Sequence, residues 1–179
     1  SSGGNVGEKA GLNNLENYQD IVYGKFKNFS ADKAYKDSKL CNILFAKELT
    51  KKIKQKNRKI SVITWAPGLV IPEDDLGFFR YSSKFNSFAY LVFSNIAKNF
   101  LGISESPKAA GNLLFKISMT KEFNSINYLN LSNQLVSYKK HKLQKSNVST
   151  EADNSELANK LWHFSTELCQ SFGFSSLYI

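Results

Sequence analysis

From Ala34 onward the apolar residues recur at intervals of three and four: Leu40, Ile43, Leu44 and Phe45, then Leu49 and Ile53. That period predicts a helix with one buried stripe. Its end carries Lys51, Lys52, Lys54, Lys56, Arg58 and Lys59. These cations are placed favourably against the negative end of a helix dipole and in solvent. "ISVITWA" (60–66) follows, a β-branched run that predicts a strand buried on both faces, and Pro67 and Gly68 stop it. Helix, buried strand and Gly/Pro break is the rhythm of an α/β sheet. Ligands in such sheets sit outside the carboxyl ends of the strands, so the loop from Pro67 to about Arg80 is a candidate site by position.

Helical spacing returns in Phe85, Phe88, Ala89, Val92, Phe93, Ile96 and Phe100. The expected reading is a core-facing helix, with a lid over an apolar ligand as the alternative. Ser106 is placed to cap a helix with Pro107 at its first position, running through Ala110, Leu113, Leu114 and Ile117. "SINYLNL" (125–131) is a second strand. The polar stretch 137–149, with Lys139, Lys140, Lys142 and Lys145, reads as a solvated surface loop. Thr150 with Asp153 resembles a capping pair ahead of a last helix striped by Leu157, Leu161, Phe164 and Leu168. Residues 1–33 are rich in Gly and Asn and are expected to be irregular, with one helical turn near 12–18.

The 179 residues fit one domain. The chain opens on Ser1 in a loop-like "SSGGN", so a fragment of a longer polypeptide is expected. Twenty-four basic against 15 acidic residues give a net charge of +9. Only Arg58 and Arg80 are arginines, and base or phosphate reading leans on arginine, so no nucleic-acid partner is expected. Cys41 and Cys169 lie far apart, which points to a reducing compartment rather than a disulfide framework. His141 and His163 lack partners at ligand spacing, and no metal site is expected. No run of 18 or more apolar residues spans a membrane, whereas a peripheral membrane contact by the basic loop stays open.

Chemistry enters with Tyr35 and Lys39. Residues four apart on a helix lie over one another. A phenol trades protons poorly at neutral pH until a neighbouring cation favours the phenolate, and lysine is such a cation. The two side chains are therefore candidates for a general acid or base.

The string "KAYKDSKLCN" (33–42), "ISVITWAPG" and the helices after it resemble the second half of the short-chain dehydrogenase/reductases, whose site uses Tyr-x-x-x-Lys. More narrowly, they are similar to the light-dependent protochlorophyllide reductases, as are "GFFR" (77–80), "ISESPKAAG" (103–111), a strand at 126–131, and Trp162 with Ser165. The resemblance runs from about Gly3 to the end. It implies an α/β fold, the C-terminal part of a doubly wound Rossmann-type parallel sheet with flanking helices. Residues 1–179 would form one incomplete domain. The glycine-rich dinucleotide-binding half is absent, so the fragment alone is expected to be inactive.

By the same resemblance the whole protein would be an NADPH-dependent oxidoreductase of chlorophyll biosynthesis and photosynthesis. It would pass hydride from NADPH to a ring double bond of a small molecule such as protochlorophyllide. Tyr35 would donate the proton, and Lys39 would ease that donation and hold the nicotinamide ribose. Tyr35, Lys39, Pro67, Gly68, Leu69 and Val70 would border the cofactor, with Asn42 ordering the site. The location implied is cytoplasmic or plastid and thylakoid-associated.

One departure bears on substrate: where the family carries a cysteine after Pro-Gly and then threonines, this chain has Leu69 and then an acidic run at 73–75. Two rivals follow: a sister reductase of a retinoid-like or other apolar carbonyl, and a non-catalytic pigment- or partner-binding relative.

Overall fold

The structure, a computed structural model, describes residues 11–12, 22, 30–71 and 86–174, which divide between two compact units. The expected turn near 12–18 falls mainly outside the described residues. Phe85, the acidic run at 73–75 and "GFFR" at 77–80 lie wholly outside them.

The first unit is built on α1 (Ala31–Gln55). Ser30 caps it, its hydroxyl accepting from the Lys33 amide at 3.3 Å. Asp32 in the first turn and Lys52 and Lys54 in the last complement the helix dipole. The helix ends where Asn57 adopts φ 52°, a left-handed conformation asparagine tolerates. Part of the predicted stripe is buried: Leu40, Ile43 and Leu44 form a core with Leu12, Ala152, Leu157, Ala158 and Leu161, and Ile53 is buried, whereas Leu49 is half-buried and Phe45 is 45% exposed. Of the core residues, Leu157, Ala158 and Leu161 belong to α4 (Ser155–Ser171). Beside this core Phe45 stacks on Trp162 with centroids 5.1 Å apart, and the Lys52 ammonium lies 5.0 Å from the same indole.

The cap of α4 differs from expectation. Residues Glu151–Asp153 form a 3-10 turn, and Asn154 is the cap, its side-chain Oδ1 accepting from the Glu156 and Leu157 amides at 3.0 Å. Asparagine satisfies two orphan donors at once, which the Thr150 and Asp153 pair does not do here.

Strand β1 (Val62–Ala66) begins in the first unit. It continues directly into β2 (Leu69–Val70) of the second unit through Pro67 and Gly68. The second unit then holds α2 (Ser87–Asn95), a π-helical turn (Ile96–Phe100), β3 (Ser104–Glu105) and α3 (Pro107–Met119). The expected Ser106 cap is in place, its hydroxyl accepting from the Ala109 amide at 3.1 Å. Strand β4 (Tyr128–Ser137) also starts in the first unit, and β5 (Lys140–Lys145) follows in the second. The sheet order is β1-β4-β5, with β2 and β3 a separate parallel pair. This is an α/β arrangement with parallel and antiparallel pairing, compatible with part of a Rossmann-type fold.

Three expectations are corrected. The stretch 137–149 is not a plain surface loop: β4 and β5 form an antiparallel hairpin, Leu143 opposite Asn133 and Lys142 opposite Gln134. Lys140 and Lys142 point outward while His141 and Leu143 are half-buried, a period of two that lysine content masked. Strand β1 is half-buried along its length rather than buried on both faces. No residue of α2 is buried, and Phe88 is 77% exposed. A 3.6-residue stripe specifies a face to be covered and not the element that covers it.

Leu44 is fully buried at the centre of the first unit's core. Leu44→Ala is expected to destabilise the protein by about 2–5 kcal/mol, read as a lower denaturation midpoint with an unchanged denaturant slope.

Candidate functional site

The first turns of α1 place the chemistry. Tyr35 and Lys39 stand one turn apart, and the Lys39 ammonium lies 5.1 Å from the Tyr35 ring centroid. Both side chains are half-buried, so the cation sits where water screens it incompletely. The contact is a cation–π approach, and it brings positive charge to the phenol as the spacing predicts. Asn42, the next residue on this side, is exposed.

What holds this turn in place was not read from the sequence. Asp37 lies inside the "YKDSK" string and is buried. Its carboxylate accepts from the Gly11 amide at 2.8 Å and pairs with Lys33 at 2.5 Å. Lys33 also donates to the Gly11 carbonyl at 2.7 Å. The neighbouring Leu12 amide donates to Glu151 at 2.9 Å, and the Leu12 side chain enters the core. One carboxylate thus ties residues 11–12 to the helix that carries Tyr35. Lys36, also buried, pairs with Asp32 at 2.6 Å. The available signal was the i, i+4 spacing of Lys33 with Asp37 and of Asp32 with Lys36.

Cys41 packs against the core, as a small helix residue does, and the structure gives it no site role. Burial, then the Asp37 charge, push its thiol up to about 11. Neither cysteine is in a disulfide. Among the described residues no cluster of His, Cys, Asp and Glu could hold a metal ion.

The other predicted residues fall in the second unit. Gly68 is exposed with φ 87°, and a Cβ there would stand 3.3 Å from the Asn133 carbonyl oxygen, so glycine suits the position on both counts. The Pro67 carbonyl accepts from the Asn133 side-chain amide at 3.2 Å. Leu69 and Val70, half-buried, pair in parallel with Ser104 and Glu105. The structure therefore brings Tyr35 and Lys39 together, and it groups Pro67, Gly68, Leu69 and Val70 with Asn133 and Glu105. His141, read from the sequence only as lacking a partner at metal-ligand spacing, contacts Glu105 at 3.0 Å.

No family model matches the chain. In an alignment 174 positions long that covers 92% of the chain, it is 28% identical to "Protochlorophyllide reductase A, chloroplastic" of Oryza sativa subsp. japonica. The chain spans 42% of the length of that relative. The likeness first read from "KAYKDSKLCN" therefore extends along nearly the whole chain. No helix among the described residues is long and apolar enough to cross a membrane.

Thiol chemistry offers a check on this placement. With its thiol at about 11, about one Cys41 in a thousand is ionised at pH 8. Exposed Cys169 is expected to be alkylated by iodoacetamide at that pH, with Cys41 modified only on unfolding; mass mapping of native and denatured samples reads the order.

Proposed function

We propose that this chain is the C-terminal part of an NADPH-dependent reductase of the short-chain type, resembling the protochlorophyllide reductases, in which Tyr35 delivers a proton and Lys39 assists it. The observation that supports this most is the approach of the Lys39 ammonium to the Tyr35 ring from one helical turn away. The relative's chloroplastic name supports a plastid location. Its protochlorophyllide substrate is the first candidate here.

In the first unit Lys39 has donors for a ribose hydroxyl. In the second, Gly68 with φ 87° presents backbone without a Cβ of its own. Pro67, Gly68, Leu69 and Val70 would border the nicotinamide. When bound, NADPH supplies the hydride. Tyr35 contributes a hydroxyl proton to the carbon that becomes electron-rich, and Lys39 stabilises the negative charge left on the phenol oxygen. Asp37 and Leu12 keep the first turns of α1 fixed, so the proton donor is held in position before substrate arrives.

Leu69 favours a second reading. A half-buried hydrocarbon stands where the family carries a cysteine, and it suits an apolar carbonyl substrate in a sister reductase.

The full-length polypeptide, mixed with NADPH and protochlorophyllide and illuminated, is expected to show the absorbance change of the reduced pigment. Dark turnover of an apolar aldehyde without pigment reduction would select the second reading. In either case Tyr35→Phe is expected to lower turnover by at least about 100-fold while NADPH binding stays within about threefold. Lys39→Met is expected to weaken both. Undiminished turnover by the Tyr35→Phe protein would remove Tyr35 from this role.

A further inference from the structure

The second unit contains a polar chain that the reductase reading does not use. His141, on β5, has a side chain only 5% exposed. Its Nδ1 lies 3.0 Å from Glu105 Oε1, and its Nε2 lies 3.3 Å from the Ile103 carbonyl oxygen. Asn133, on β4, donates through Nδ2 to Glu105 Oε1 and to the Pro67 carbonyl, both at 3.2 Å. The Asn133 orientation is fixed chemically, because the Pro67 carbonyl can only accept.

Counting protons along this chain gives a definite answer. A neutral imidazole has one N–H. Here both ring nitrogens face oxygens, and one of these, the Ile103 carbonyl, can never donate. Nε2 must therefore carry a hydrogen for that contact to be a bond. With Glu105 as a carboxylate, Oε1 can only accept, from Asn133 and from the ring, so Nδ1 must carry the second hydrogen. The arrangement is satisfied only by an imidazolium paired with a carboxylate.

Its position gives the pair leverage. His141 grips the 103–105 segment at two points, the Ile103 carbonyl and the Glu105 side chain. Strands β2 and β3 have two residues each, too short to hold each other unaided. Strand β3 carries β2 through the pairing of Leu69 with Ser104 and Val70 with Glu105, and the Glu105 carbonyl accepts from the Ile71 amide at 3.2 Å. Asn133 links the same carboxylate back to Pro67. The charged groups on the elements around His141 are Glu105 of β3, Lys98 of the π-helical turn that packs on β3, and Lys139 of the hairpin turn, which lies against Gly102. Lys140 and Lys142 alternate to the other face of β5. Among the described residues Glu105 is the one anion in this set.

We propose that His141 and Glu105 form a proton-held clamp on the segment 67–71, tight while the imidazole carries both hydrogens and released as rising pH removes one. Deprotonation leaves a single N–H for two acceptors, so one of the two grips on the 103–105 segment is lost. The sign follows: the clamp is complete on the acid side and loosens toward alkaline pH. This inference does not depend on the chain being a reductase. If that reading also holds, the released segment is the one bordering the nicotinamide, and cofactor affinity would fall over the same pH interval.

Two measurements on the full chain test it without any ligand. In long-range nitrogen–proton spectra at about pH 6, both ring nitrogens of His141 are expected to be protonated. Between about pH 5.5 and about pH 9, the amide of Ile71, which donates to the Glu105 carbonyl, is expected to lose about tenfold in protection after correction for intrinsic exchange. His141→Gln, which keeps one neutral donor, is expected to abolish that pH step. A single neutral tautomer at about pH 6, pH-independent protection in the unmodified protein, or a step that persists in His141→Gln would each overturn the proposal. Should His141→Gln not fold, the two measurements on the unmodified protein decide it.

Discussion

Burial of one face of α1 is the constraint from which the first unit follows. Leu40, Ile43 and Leu44 come to that face by helical period, and Leu157, Ala158 and Leu161 of α4 meet them with the same period. The hydrophobic gain is largest where both stripes are covered, so it fixes how the helix is rotated. Rotation in turn decides which side chains at the helix start face inward and which stay accessible. Asp37 and Lys36 are carried inward and Tyr35 and Lys39 are left half-buried, all within five consecutive residues.

Polar groups forced inward by that rotation are used. Asp37 would be costly to bury alone, but it meets the Gly11 amide and the Lys33 ammonium, so its burial fastens residues 11–12 to the helix. Lys36 is compensated by Asp32 in the same way. This salt-bridged turn also carries Tyr35 and Lys39, so under the proposed reading the proton donor would be positioned without drawing on substrate binding energy. In the second unit a similar economy appears in Asn133, Glu105 and His141, where a short parallel pair that could not stand alone is held by side chains from a hairpin.

Much of this was legible in the chain. The spacing of Leu40, Ile43 and Leu44 marked α1, Ser106 and Pro107 marked the start of α3, and the position of Tyr35 relative to Lys39 announced their contact. The hairpin was hidden because lysines outnumber apolar residues in β5, although His141 and Leu143 keep the period of two. The covering of α2 could not be read, since a stripe of Phe88, Val92 and Phe93 is the same whether or not anything lies on it. The networks of Asp37 and of His141 join residues 26 and 36–38 positions apart, and such pairings depend on the folded path rather than on local spacing.

The account turns on whether the cation beside Tyr35 is also the group that meets the cofactor. A crystal structure of the full-length polypeptide with NADPH bound addresses this directly. The account predicts the Lys39 ammonium within about 3 Å of a nicotinamide-ribose hydroxyl, with the Tyr35 hydroxyl facing the nicotinamide ring. A dinucleotide seated with its ribose away from Lys39, or with Tyr35 turned from the ring, would contradict it.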